Sequence, residues 1–150
     1  MALWPQLDPM QQNELLEEMT SLVVGALAPG WRQVMIDFRA VGKNIDVAVG
    51  VLDPSGTYQL WDPPGEVWRM FQRLRGGMYE SGEGTWFSAR FTIDPPSRYS
   101  VQYNWKNEPD FRPYPSPDNF ALEQERFPRT EAHMPPWFRR GLAAAGVVES

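Results

Sequence analysis

The stretch from Thr85 to Phe111 leaves this chain the fewest ways to fold. Its first arm, Thr-Trp-Phe-Ser-Ala-Arg-Phe-Thr-Ile, sets Phe87, Ala89, Phe91 and Ile93 at every second position, and its second arm does the same with Tyr99, Val101, Tyr103 and Trp105. A period of two matches the alternation of side chains along a half-buried β-strand. Between the arms stands Asp94-Pro95-Pro96-Ser97. Prolines lack an N–H donor and hold φ near a turn value, so this segment cannot continue a ladder. The two arms are expected to form an antiparallel hairpin at the centre of the fold. Trp86, Ser88, Arg90, Thr92, Ser100, Gln102 and Asn104 fall on its other face, which is expected to meet solvent or a partner.

The remaining chain supplies elements to pack around that hairpin. Asp8-Pro9 opens a first helix, with Gln11 placed as the second half of a capping box. Leu15, Leu16, Met19, Leu22, Val23 and Ala26 recur at helical spacing, while Glu14, Glu17 and Glu18 make the wet side acidic. Trp31–Val41 and Asn44–Leu52 both alternate, and Asp53-Pro54-Ser55-Gly56 turns the chain into a short strand over Thr57–Trp61. After Asp62-Pro63-Pro64-Gly65, a second helix is expected with Val67, Met70, Phe71, Leu74 and Met78 inward and Arg69, Arg73 and Arg75 mostly off that face. Gly76-Gly77 is expected to weaken its last turn, and residues 80–84 to form a flexible connection. Prolines punctuate 106–117 as a loop. A short helix over Asp118–Arg126 is anchored by Phe120 and Leu122, and a last helix from Pro135-Pro136 turns Trp137, Phe138, Leu142 and Ala145 inward. The order α-β-β-β-α-β-β-α-α implies one α+β domain over residues 1–150: a five-stranded antiparallel sheet with helices packed mainly on one face.

Composition narrows the chemistry. The 150 residues fit a single domain, and a hydrophobic share of 42% with seven Trp supports a packed core. With no Cys there is no disulfide, thiol nucleophile or Cys-type zinc site, and the single His133 excludes a His-pair metal site. No metal or other cofactor is expected. The net charge of −5 comes without a basic cluster, so no nucleic-acid partner is expected. No apolar run approaches the ~20 residues that span a bilayer. The first residues, Met-Ala-Leu-Trp-Pro-Gln, lack the features of a secretory signal, so a cytoplasmic protein is expected.

Few residue patterns point to catalysis. Neither a phosphate-binding Gly loop, a Gly-x-Ser-x-Gly elbow nor a His-Glu-x-x-His helix occurs. Gly82-Glu83-Gly84 lacks the strand and helix that a nucleotide fingerprint needs. His133, two residues after Glu131, reads first as a polar residue ahead of the last helix; no partner Ser or Cys marks it as a base. Glu108-Pro109-Asp110 pairs two carboxylates, which in other settings run acid/base chemistry or hold a hard cation. Lys106 and Arg112 flank them, so a salt-bridged exit loop or a partner contact accounts for them as well as a hydrolase does. Trp86, Tyr103, Trp105 and Phe111 suit either core or a small-ligand-binding cluster.

Gly84-Thr-Trp-Phe-Ser-Ala-Arg-Phe-Thr-Ile-Asp, the strand Tyr99-x-Val-x-Tyr103, Asn107-Glu108-Pro109-x-Phe111, and Phe127-Pro128-Arg129 ahead of Pro136-Trp137 resemble the YezG-type immunity (antitoxin) family of bacterial polymorphic toxin systems. The resemblance spans most of the chain and carries no catalytic signature. It implies a mixed α+β sandwich in the cytoplasm and a non-enzymatic inhibitor that binds a cognate protein toxin, often a nuclease. Related sequences attached to NAD-hydrolysing toxins resemble the hairpin-to-Phe-Pro-Arg region. The residues themselves suggest where such a partner would bind. Glu80 and Glu83 enter the hairpin, and Glu108, Asp110 and Phe111 leave it. Entry and exit of an antiparallel hairpin lie side by side, with strands ~4.8 Å apart. These five residues are therefore expected to gather at one edge and meet a basic surface.

Overall fold

The computed structural model describes residues 5–147. Along them run α1 (Pro9–Ala26), β1 (Gln33–Val41), β2 (Asn44–Leu52), β3 (Tyr58–Leu60), α2 (Glu66–Gly77), β4 (Ser88–Asp94), β5 (Arg98–Asn104), α3 (Pro117–Arg126) and α4 (Pro136–Ala144), with a 3-10 turn at Glu131–His133. The α+β order read from the sequence is the order observed. The strands form one open antiparallel sheet, β3-β2-β1-β4-β5. The hairpin β4–β5 joins the meander through β1, with Ile36 opposite Phe91.

The α1 start follows from its capping residues. Asp8 Oδ1 accepts from the Gln11 backbone N–H at 2.8 Å, and Gln11 Oε1 accepts from the Asp8 N–H at 2.9 Å, so two orphan donors of the first turn are satisfied reciprocally. The helix buries Leu16, Met19 and Val23. These side chains meet Val67, Phe71 and Leu74 of α2 and the alternating residues of β1 and β4 in one large core. Phe38 stacks on Phe71 with ring centroids 5.0 Å apart, and Phe91 meets Phe71 edge-on at 6.0 Å.

A second, separate core lies where β1 ends and β4 begins. Val41, Phe87 and Phe111 pack there against Phe120 of α3 and Trp137, Phe138 and Leu142 of α4. Helices α1 and α2 therefore cover one face of the sheet, while α3 and α4 close its end. Among the described residues the opposite face carries no helix, and it is laced by cross-strand pairs: Arg90 bonds Asp37 at 2.8 Å, Arg39 meets Asp46 at 3.1 Å, and Gln33 bonds Asp94 at 3.1 Å.

Several expectations are corrected. Trp86 is fully buried in the large core, not on the polar face, and Phe87 is buried in the second core rather than beside Ala89. Both misplacements have one cause: the regular ladder of β4 begins only at Ser88, and although the Phe87 backbone still bonds Ala40 and Asn104, residues 84–87, all buried, do not extend its alternation. Ile45 and Val47 are 40% and 38% exposed, because the helical layer stops short of that half of β2. In α3 the inward residue beside Phe120 is Glu123, whereas Leu122 is only half-buried. Gly76 and Gly77 are both buried. A Cβ on Gly77 would come within 2.5 Å of the Leu7 side chain, so the pair permits the chain ahead of α1 to lie against α2.

Candidate functional site

Two buried arginines position the loops at the hairpin's open end. Arg75, expected off the apolar face of α2, is 5% exposed. Its Nε donates to the Trp86 carbonyl at 2.8 Å, and its two Nη atoms bond both oxygens of Glu123 at 2.9 and 2.6 Å. Glu123, fully buried, also accepts from the Gly42 N–H at 2.9 Å, and the Thr85 hydroxyl donates to the Arg75 carbonyl at 2.6 Å. One bidentate ion pair thus fastens α2, α3, the β1–β2 turn and the entry to β4. Such a pair is tolerated without water when further hydrogen bonds support it; here Arg75 Nε and Glu123 Oε1 each have one partner beyond the pair.

Arg129 has no carboxylate within ion-pair distance among the described residues and is held by carbonyls instead. It donates to Trp105 at 3.2 Å and His133 at 2.9 Å through Nη1, and to Thr85 through Nη2. Its guanidinium lies 4.1 Å from the centroid of the Phe87 ring. Burial pulls its pKa down to about 10, with Glu123 opposing that shift and Arg75 reinforcing it, and the group stays charged at neutral pH. Gly84, at φ +75°, makes room for it: a Cβ at that position would overlap the guanidinium. Arg129 therefore ties hairpin entry, hairpin exit and the turn before α4 to one point.

The loops so tied are ordered, in contrast to the flexible connection expected at 80–84. The Glu80 N–H bonds the Gly84 carbonyl and the Glu83 N–H the Glu80 carbonyl, both at 2.9 Å, while the Thr130 N–H bonds the Gly82 carbonyl at 2.8 Å. On the exit side, Asn104 Oδ1 accepts from the N–H groups of Lys106 and Asn107 at 3.2 and 2.8 Å, and its Nδ2 donates to the Asn107 carbonyl at 2.7 Å. The Trp137 indole donates to the Lys106 carbonyl at 2.8 Å.

The five residues expected at one edge each have different surroundings. Glu80 is exposed. Glu83 Oε1 stands 3.6 Å from His133 Nε2, and the pair borders a cleft of about 650 Å³ with Trp105, Lys106 and Asn107. Asp110 pairs with the exposed Arg112 at 2.9 Å and lines a different groove, of about 320 Å³, on the open sheet face. Tyr103 lines the same groove, and burial is the main cause that pushes its pKa up to about 12. Glu108 accepts from the Tyr114 hydroxyl at 3.1 Å. Phe111 is not a surface aromatic. The Phe111 N–H bonds the Pro109 carbonyl at 2.9 Å, turning the chain inward, and the ring enters the second core at 6% exposure. The proposed ligand cluster divides likewise. Trp86 and Tyr103 pack in the large core at 5.5 Å, Phe111 lies in the second, and Trp105 borders the cleft.

His133 Nδ1 is 3.0 Å from the Thr130 hydroxyl. Among the described residues no group of three or more His, Asp or Glu is placed to hold a metal ion, and no helix is long and apolar enough to cross a membrane. No protein-family model matches the chain, and no curated protein matches it.

Arg75, Glu123 and Arg129 escaped the sequence reading. For two of them the signal was present: Arg75 stands four residues after Phe71 and Glu123 three after Phe120, helical spacings that share a face with a buried ring. Charge argued for the surface, yet opposite charges on two inward faces are how a buried pair announces itself. Arg129, bound to carbonyls alone, gives no such pattern.

Proposed function

We propose that this chain is a non-catalytic binding protein of the immunity (antitoxin) type, which neutralises a cognate toxin domain, nuclease or NAD-hydrolysing, in the cytoplasm by covering part of its surface. The observation that carries the reading is the pinning of two carboxylate-bearing loops at one end of the sheet, 80–84 by Gly84 and Arg129, and 106–112 by Asn104 and Trp137. Loops already fixed lose little entropy on association. Their carboxylates Glu80, Glu83, Glu108 and Asp110 are exposed, and the local partners of the last three are weak surface contacts that a basic partner can displace. Complementary charge there would speed encounter more than it would deepen affinity. A hydrolase using Glu108 and Asp110 has less support, since the two carboxylates engage different neighbours, Tyr114 and Arg112.

The test is association kinetics with the toxin encoded beside this chain, at two salt concentrations, for wild type and for Glu108→Lys/Asp110→Lys. Wild type should protect and bind with a rate that falls as salt rises, and the double variant should associate about tenfold more slowly at low salt. A wild-type protein that neither binds nor protects against that toxin overturns the reading.

A further inference from the structure

The helical layer over the sheet ends abruptly between β1 and β2. On β1, Phe38 and Ala40 are 0% and 2% exposed; their register partners on β2, Val47 and Ile45, point to the same face and are 38% and 40% exposed. Helix α2 stacks over β1 through Phe71 on Phe38, and α1 reaches β5, where Asn13 Oδ1 accepts from the Tyr99 hydroxyl at 3.4 Å. The start of β2 lies beyond both helices, and the end of α3 closes the far side. The result is a cavity of about 360 Å³ with Phe38, Ala40, Ile45 and Phe127 among its lining residues, and Gln72 and Gly76 of α2 along one wall.

The charge around this groove runs against the rest of the molecule. The chain carries a net −5, yet Lys43 and Arg126 line the cavity, and Arg69 stands one turn before Gln72 on α2. None of these three side chains has an ion pair or hydrogen bond among the described residues. Unpaired cations beside exposed apolar side chains match an occupant that is apolar along one side and anionic along its flanks. Ile45 and Val47, two residues apart on β2 and both on this face, stand about 7 Å from one another at strand rise. That is close to the rise of one helical turn, about 5.4 Å, so apolar side chains one turn apart on a helix can seat on both.

We propose that this groove docks an acidic amphipathic helix of a protein partner, the helix completing the layer beside α2. Its apolar side chains seat on Ile45, Val47 and Phe127, and its carboxylates face Lys43, Arg69 and Arg126, the helix-in-groove mode of recognition. The surface is opposite in sign to the carboxylate loops and independent of the toxin reading.

The test uses the full chain and two labelled synthetic 18-residue peptides with the same leucine pattern at helical spacing, one with glutamates and one with lysines at the flanking positions. Binding is followed by fluorescence anisotropy. The glutamate peptide should bind saturably at one to one and the lysine peptide should not. Affinity should fall at least tenfold in Lys43→Glu/Arg126→Glu and in Ile45→Asp, with Val47→Asp as the second variant should either fail to fold. Glu108→Lys/Asp110→Lys should leave it unchanged, which separates this surface from the toxin-facing one. Absence of binding, equal binding of both peptides, or full affinity in both folded aspartate variants overturns the proposal. So does self-association that Ile45→Asp abolishes, which would make a second copy the occupant. Saturation by laurate without peptide binding would assign the groove to a small amphipathic anion and overturns it equally.

Discussion

The two hydrophobic cores of this molecule are built by opposite means. The large core takes alternate residues from β1, β2 and β4, with partly buried residues of β5 against them, and one stripe each from α1 and α2, so most of its membership follows from regular backbone, with Leu7 and Trp86 the exceptions. The small core draws Val41 from a strand end, Phe87 from the irregular entry to β4, Phe111 from a loop, Phe120 from α3, and Trp137, Phe138 and Leu142 from α4. Regular repeats bring nothing together there; rings do, with Phe87 edge-on to Trp137 at 4.6 Å and Phe120 against Phe138 at 5.6 Å. Between the cores stands the Arg75–Glu123 pair. A core assembled by register is expected to open only when the sheet does. A core assembled from chain ends and loops can open by itself.

That contrast is open to direct attack. Phe91→Ala and Phe138→Ala each remove a fully buried ring, and each should cost about 3–5 kcal/mol. The two should differ in where the loss is felt. Phe91→Ala should lower the midpoint of global denaturant unfolding and speed hydrogen exchange throughout β1 and β4. Phe138→Ala should speed exchange in α3 and α4 first and leave the central strands protected. Identical exchange patterns from the two variants would show one cooperative unit, and the distinction between the cores would fail. An effect of Phe91→Ala within measurement error would mean that its place in the large core is wrong.

The same contrast explains how far the sequence could be read. A period of two found β2 residue for residue, and the capping residues Asp8, Pro9 and Gln11 placed the start of α1, because each signal lies within a few neighbouring positions. The direction of Trp86 was misread because alternation was extended past the point where the strand stops, and the stop is set by distant groups: Arg75 on the Trp86 carbonyl and Arg129 on that of Thr85. Phe111 was misassigned for the same reason, since only α4, more than twenty residues later, supplies the Trp137 ring near which it packs. Of the candidate site, the exposed carboxylates were legible as charge at loop positions. What fixes those loops was not, because a guanidinium bound to three carbonyls is chosen by tertiary structure alone.

The junction gives the next largest effect. Glu123→Gln keeps the shape of the side chain and removes its charge, leaving Arg75 buried beside a neutral amide and one Arg75 donor without an acceptor. The cost should be about 2–3 kcal/mol by thermal or denaturant unfolding, as for a charged group left partly unsatisfied. Replacing both partners, Arg75→Met with Glu123→Leu, should recover part of that loss, since a buried pair exchanged for apolar groups of similar volume is often close to neutral. The double variant also frees the Gly42 N–H and the Trp86 carbonyl, so recovery should be incomplete. A double variant less stable than Glu123→Gln would show that the pair contributes to the joining of the cores beyond its own desolvation.

The smallest effect separates the cores by packing against a single methyl group. Gly141 lies inside α4, and a Cβ there would overlap the ring of Phe120. Gly25 lies in the last turn of α1, where a Cβ would meet nothing within 4 Å. Neither residue has a positive φ, so alanine is compatible with the backbone at both. Alanine favours the helix at both positions as well, through the smaller entropy of its unfolded chain, worth about 0.4–1 kcal/mol. At Gly25 nothing opposes this, and Gly25→Ala should raise stability by roughly that amount, reduced by fraying so close to the helix end. At Gly141 the methyl group must displace an aromatic ring that is itself wedged against Trp137 and Phe138. Overpacking of this kind costs about 1–3 kcal/mol, so Gly141→Ala should be net destabilising. The two substitutions are chemically identical, and the sign of the difference reports only how closely α3 approaches α4. Equal stabilisation by both, measured by denaturant titration, would mean that the small core gives way around a methyl group and is held less tightly than its ring contacts require.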